Sequence, residues 1–246
     1  MRGHVPALVI LATGLLAWQL MHSVSGTSSI SGPVETISRL AMLMSTERFW
    51  DDVAETGLAF LQALILSILI GGGAGVVLGL SRPTGEVIEP ILVTFYSLPK
   101  VTLYPLVLLV FGLGMPAKIA FGVMHGFVPI TLLTRNAILQ IKPVYRKTAI
   151  ILRLTPVQMI TKLIVPAIIP ELIVGIRIGF SLSLLGVLIG EMFASRRGLG
   201  FSAINAMNLG DISTILAIGL FLACFAAVIN LSLLSIEKKV RHRTTR

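Results

Sequence analysis

The chain has 246 residues, of which 55% are hydrophobic and only 13% charged, whereas a soluble domain carries about 25% charged residues. With a mean hydropathy of +0.93 it lacks the polar surface of a globular enzyme, and the same composition excludes a disordered tail; a lone cysteine, Cys224, excludes a disulfide scaffold. The net charge of +9 comes from basic residues that are mostly not gathered in one patch, which fits membrane topology better than nucleic-acid binding.

A bilayer-spanning helix needs ~20 mostly apolar residues, and in lipid each backbone polar group must find a partner within its own segment. Six stretches qualify: 5–21, 57–80, 88–113, 117–139, 172–194 and 212–235. They predict an all-α fold, a polytopic membrane bundle of six transmembrane helices. The first stretch, with Arg2 before it and Ser23, Ser25 and Gly26 after it, also has the layout of a cleavable signal peptide. Retained, it places the N-terminus inside without further assumptions. Residues 22–56 then form an outer segment whose Phe49 and Trp50 suit a membrane–water interface. Arg82-Pro83-Thr84-Gly85 reads as a tight inner turn, and Gly112 to Pro116 as an equally short outer one.

With the N-terminus inside, 12 of the 20 basic residues fall on the inner side, among them Lys142, Arg146, Lys147, Arg153, Lys162 and the tail Lys238 to Arg246; Arg39, Arg48, Lys118, Arg196 and Arg197 fall outside. Positively charged loops stay in the cytoplasm, so both termini are expected there. The organisation is an N-terminal helix and outer segment (1–56), a membrane domain (57–236) and a basic tail (237–246).

Several features lie within the spans. Gly71, Gly75 and Gly79, and again Gly175, Gly179 and Ser183, recur every fourth residue, and such faces let helices approach closely in lipid. Lys100, Arg177 and Glu191 are charges within or near spans, where an ionised group costs on the order of 2.5–3.5 kcal/mol. Pro99 predicts a broken helix, and a break is tolerated where it lines a cavity. Ser97, Pro99, Lys100 and Glu191 are candidates to line such a cavity, with Lys100 a candidate to meet an anion there. Arg177 is expected to pair with Glu171 or a lipid phosphate. His125 is expected to face the bundle.

Residues 140–171 form a connection longer than a compact bundle requires, and long ordered loops are commonly functional. Pro143 opens a first short helix with a basic face of Arg146, Lys147 and Arg153. Thr155, Pro156 and Gln158 have the spacing of a capping box, opening a second short helix over 156–164. Pro166 and Pro170 should then punctuate the chain before the fifth span. Ile150, Ile151, Met159 and Ile160 are the apolar residues it presents. Such an element is either an amphipathic hairpin on the membrane surface or a docking element for a soluble partner.

Lys147-Thr148-Ala149, Arg153, the run Val165-Pro166-Ala167-Ile168-Ile169-Pro170 and Gly175-Ile176-Arg177 resemble, in order and spacing, the permeases of binding-protein-dependent ABC importers. Ser97-Leu98-Pro99-Lys100, Phe111-Gly112-Leu113-Gly114, Ile189-Gly190-Glu191-Met192 and Gly198-Leu199-Gly200-Phe201 are similar to its nitrate, sulfonate and taurine branch. The resemblance covers about residues 57–236. It implies a type I importer permease in a bacterial cytoplasmic membrane. It implies as partners two ATPase subunits, a second permease copy, an extracytoplasmic substrate-binding protein and membrane lipid. It makes 140–171 the loop that sits in a groove of the ATPase, through Arg146, Lys147, Thr148, Ala149, Arg153, Thr155, Pro156 and Pro166. Three positions depart from the family pattern: Lys147 stands for a Glu, Thr148 for an Ala and Arg153 for a Gly. The charge reversal points to a dedicated ATPase. The bend that the Gly provides is expected to move to Thr155–Pro156.

The chain has no G-x-x-x-x-G-K-[ST] phosphate loop, so ATP hydrolysis belongs to another polypeptide. It shows no catalytic triad or metal spacing, and no cofactor is expected in it. An ion-coupled secondary transporter is the alternative, but that class needs paired mid-membrane ionisable groups and often repeats, neither of which is evident.

Overall fold

A computed structural model describes residues 5–25 and 30–244. The helices are α1 (Val5–Ser25), α2 (Pro33–Met44), α3 (Glu47–Leu80), α4 (Arg82–Ser97), α5 (Tyr104–Phe111), α6 (Met115–Leu139), α7 (Pro143–Ile151), α8 (Pro156–Met159), α9 (Val165–Ala194), α10 (Leu199–Asn208) and α11 (Ile212–Thr244). Among the described residues, four helices or continuous helical runs are long and apolar enough to cross a membrane, and a fifth crossing arises if the bent pair α4–α5 counts as one. The first expected span falls on α1.

Three helices, α3, α6 and α9, make the core, and small residues set how closely they pack. A methyl group added at Gly71 would lie 2.6 Å from the Phe127 carbonyl oxygen, and one at Gly75 would lie 2.5 Å from Thr134 Cβ. α3 and α6 therefore touch backbone to side chain, as small-xxx-small faces allow. Ser67 of α3 and Ser183 of α9 face each other at 3.3 Å, and a methyl group on Gly126 of α6 would strike both hydroxyls. Around this crossing Ala59, Phe60 and Ala63 interlock with Phe180, Leu184 and Val187. The Phe60 and Phe180 rings meet edge to face at 5.0 Å.

Several expectations change. α3 starts at Glu47, not 57, because the acidic stretch before the apolar run continues the helix and turns Asp52 and Thr56 inward. Arg82-Pro83-Thr84-Gly85 is the first turn of α4, with only Ser81 outside a helix; proline suits a helix start because its missing N–H has no partner there anyway. Pro166 and Pro170 do not punctuate the chain. Both lie inside α9, and α8 runs into it through a π-turn over Ile160–Ile164 in which the Val165 N–H bonds the Ile160 carbonyl. A proline ring crowds the carbonyl four residues earlier, and the wider turn next to Pro166 is where the helix absorbs this. Residues 237–244 of the basic tail continue α11. Arg177 pairs with Glu237 of α11 at 3.5 Å, not with Glu171.

Candidate functional site

The loop after α6 is two short helices joined by a left-handed residue. α7 ends as Leu152 N–H bonds Thr148 O at 2.9 Å and Leu154 N–H reaches back to Ala149 O at 3.1 Å. Between them Arg153 has φ +48°. That closure is a Schellman-type C-cap, which needs one left-handed residue and usually takes glycine. The bend thus stays at Arg153 instead of moving to Thr155–Pro156. Thr155 then opens the next helix: the Gln158 N–H donates to Thr155 Oγ1 at 3.3 Å, and the Thr155 N–H donates to Gln158 Oε1 at 3.1 Å. The capping box is present as the spacing predicts.

Buried Ala149 faces inward, whereas Lys147, Thr148, Arg153, Thr155 and Pro156 are exposed, and Arg146 lies in α7. Met159 and Ile160, expected on the surface, instead pack with Ile138, Ile141, Ile164 and Ile168 to seat the loop on the ends of α6 and α9. The outer surface keeps Ile151, Leu152 and Val157 in the open beside the basic side chains. Ile150 lies in α7. Between loop and bundle is a cavity of about 460 Å³ lined by Gln140, Tyr145, Lys162, Pro166 and Glu171 among others. Pro166 therefore belongs to the first turn of α9, beside the loop.

A second feature is the elbow between α4 and α5, which bends the chain by 93°. Ser97 ends α4, with its hydroxyl donating to Val93 O at 3.0 Å. Exposed Pro99 sits at the break, and Lys100 starts a 3-10 turn. The Lys100 ammonium is buried, donates to Tyr96 O at 2.9 Å and lies 5.0 Å from the centre of the Tyr96 ring. A cation favours a helix C-terminus and an aromatic face, so both contacts stabilise it. Midway along α4, Glu89 pairs at 2.9 Å with Arg135 of α6, which is almost fully enclosed. His125 is buried in α6, with Nδ1 2.9 Å from Phe121 O.

Glu191 lies elsewhere. Its carboxylate is fully enclosed near the opposite end of α9 from the loop. It accepts the Thr56 hydroxyl at 2.9 Å and the Gly200 N–H at 2.9 Å, and lies 3.6 Å from the Lys118 ammonium. Thr56 Oγ1 accepts the Leu199 N–H at 2.8 Å, and Asp52 accepts the Gly198 N–H at 2.8 Å. Three side chains thus take the N–H groups of Gly198, just before α10, and of Leu199 and Gly200 in its first turn, groups that a helix start leaves unpaired. Gly198 has φ +112°, and any side chain there would strike the Glu191 carboxylate. Sequence reasoning counted Lys118 among the outer-side charges and passed over Asp52 and Thr56; the closely spaced glycines Gly198 and Gly200 were the available signal that backbone comes close to other groups here.

Beside this node, α2 is clamped to the start of α11. Arg39 donates to Asp211 at 2.8 Å and to Thr214 Oγ1 at 2.8 Å. Burial pushes the Asp211 carboxyl up, but the Thr214 hydroxyl and N–H, and then Arg39, outweigh this and hold it below the usual carboxylate value.

Residues 67–246 match the family described as the binding-protein-dependent transport system inner membrane component. The chain belongs to that family. It is a permease subunit of this importer class, as the resemblance implied. The nitrate import permease protein NrtB of Synechococcus elongatus is 26% identical over 84% of this chain and 77% of its own length. The taurine transport system permease protein TauC of Escherichia coli is 24% identical over 85% and 78%. The fold is shared with the inward facing MetNI methionine ABC transporter, at TM-score 0.68 and 20% identity, covering 77% of this chain and 94% of that one.

Proposed function

We propose that this permease imports a small anionic solute, such as nitrate, a sulfonate or a taurine-like compound, delivered by an extracytoplasmic binding protein. Two copies form the path at their interface. Two separate ATPase subunits grip the loop formed by α7 and α8 from the cytoplasm, through Arg146, Lys147, Thr148, Ala149, Arg153, Thr155 and Pro156, with Pro166 bracing its base. The chain itself performs no bond chemistry and carries no cofactor. It crosses a bacterial inner membrane six times, α1 included, with both termini in the cytoplasm.

The observation that carries this is the loop: a doubly bent, capped, basic and apolar surface rooted by an isoleucine cluster in two core helices. An ATPase dimer that closes on it moves α6 and α9 together, switching the path from inward- to outward-facing. The elbow at Ser97, Pro99 and Lys100 lines that path, and Glu191 holds its outer end. The nitrate and taurine permeases among its relatives support an anionic substrate.

Reconstitution tests it. Liposomes holding permease, ATPase and binding protein should take up labelled nitrate or taurine only with ATP inside. Arg153→Glu and Pro156→Gly should each impair uptake while leaving membrane insertion intact; unchanged uptake in both would refute the docking assignment. Accumulation by the permease alone on a proton or sodium gradient would instead establish an ion-coupled secondary transporter.

A further inference from the structure

At the far end of α9 from the ATPase-docking loop, residues 195–197 carry two consecutive arginines. From this arrangement we infer that Arg196 and Arg197 form a docking site for acidic side chains of the extracytoplasmic binding protein. The inference rests on the function and orientation proposed above, which put this end outside.

The segment is held in shape. The Ser195 hydroxyl donates to Arg197 O at 2.6 Å and accepts the Arg197 N–H at 3.2 Å. Lys118 donates to the same carbonyl at 3.3 Å, and the next residue, Gly198, is tied to Asp52. Four contacts thus fix the backbone that presents the guanidinium groups, so little ordering cost remains on binding.

The charged groups beneath have partners, and the two arginines above do not. Lys118 lies 2.9 Å from Glu55 and 3.6 Å from Glu191, and Asp52 accepts the Gly198 N–H and the Ser202 hydroxyl. Arg196 and Arg197 are exposed, and neither has a carboxylate within salt-bridge distance among the described residues. They rim a cavity of about 610 Å³ walled by Glu55 of α3, Leu113 and Gly114 of the turn before α6, and Ser195. Arginine flanking a span is disfavoured on the outer side, so two in succession call for a use. A guanidinium is a planar fork that binds carboxylates bidentately. The family depends on a binding protein, and a rigid dicationic rim over a cavity fits an acidic protein surface.

The test uses the permease in phosphatidylcholine nanodiscs with hexaglutamate as probe. The binding protein recovered with the native assembly is then titrated in an ATPase-stimulation assay. In the double variant Arg196→Glu/Arg197→Glu, the hexaglutamate Kd and the half-stimulating concentration of binding protein should both rise at least about tenfold, or 1.4 kcal/mol, with a shallower salt dependence. Arg196→Lys/Arg197→Lys should keep most of the wild-type value. Basal ATPase activity and co-purification with the ATPase should be unchanged, which shows that the variants fold. Unchanged half-stimulation would overturn the inference. So would reduced uptake at saturating binding protein with half-stimulation unaltered, which marks a solute site. An effect that follows added phosphatidylglycerol and not the binding protein marks a lipid headgroup site and overturns it as well. A wild-type assembly whose ATPase ignores the binding protein would refute the proposed function first, and this inference with it.

Discussion

Replacing Arg153 with glycine should tighten the coupling loop. Arg153 holds φ +48° at the end of α7, a left-handed conformation that costs a residue with a Cβ about 1–2 kcal/mol. Glycine removes that strain but loses about 0.5–1 kcal/mol through the freedom it gains in the unfolded chain. The net gain is about 0.5–1 kcal/mol, which corresponds to a two- to fivefold shift in the opening equilibrium of the bend. The Leu154 N–H, bonded to Ala149 O at 3.1 Å, exists as a bond only while the bend is closed. Amide hydrogen exchange of that proton should therefore slow two- to fivefold in Arg153→Gly. A β-branched residue tolerates the left-handed region worst, so Arg153→Val should speed the same exchange at least as much.

The two substitutions remove the same charge, so charge loss affects both equally and only the backbone separates them. If Leu154 exchanges equally fast in Arg153→Gly and Arg153→Val, the strain assigned to this position is absent and the bend is set elsewhere. The transport assay adds a further distinction. A tighter loop with its arginine gone should lose uptake if the guanidinium contacts the ATPase, and keep it if the residue acts only through the backbone.

Other expectations follow from particular contacts. Thr56→Val keeps the shape but strips the donor from Glu191 and the acceptor from the Leu199 N–H; thermal unfolding of the purified permease should show a loss of about 2–4 kcal/mol, from about 1–3 kcal/mol per unsatisfied buried group. Gly126→Ala drives a methyl group into Ser67 and Ser183 and should destabilise by about 1–3 kcal/mol, whereas Gly73→Ala, with nothing within 4 Å, should stabilise by about 0.5–1 kcal/mol in the same measurement. Glu89→Gln leaves Arg135 enclosed without its counter-charge and should cost about 1–2 kcal/mol, less than the 3–5 kcal/mol of a fully buried pair because the Glu89 side chain is 38% exposed; the charge swap Glu89→Arg/Arg135→Glu should recover part of it. The Asp211 carboxyl sits below its usual value when folded, so the α2–α11 clamp should be complete at neutral pH and fail only as pH falls through that lowered value, read as faster exchange of the Thr214 N–H under acid.

The apolar helices, the two-helix loop and its capping box were legible because each rests on a local rule. Apolar length marks a crossing, and Thr155 to Gln158 spells a capping box within four residues. Pro99 announced the elbow for the same reason. What escaped is non-local. Glu191 reads as a lone membrane carboxylate until α3 brings Thr56 to it from 135 positions away, and Lys118 reads as an outer-side charge until α3 and α9 bring Glu55 and Glu191 to it. The left-handed bend escaped for another reason: an arginine at that position looks like a reason for the bend to move. The chain instead keeps the geometry and tolerates the strain, because the 6→1 hydrogen bond that closes α7 leaves the next helix no other direction in which to start.

The loop and the elbow are also linked through one helix. α6 is one continuous helix from the isoleucine seat of the loop to the core crossing at Gly126, and in its last turns Arg135 holds Glu89 of α4. α4 also meets α6 through the close approach of Gly85 to Arg135 and the packing of Phe95 on Phe127, and it meets α3 where Gly85 lies against the Leu78 carbonyl. The helix that leads to Pro99 and Lys100 thus rests on α3 and on the same α6 that the loop is rooted in. A displacement of the loop that moves α6 should reach the elbow in part through the Glu89–Arg135 pair, and breaking that pair should weaken the link without touching either end.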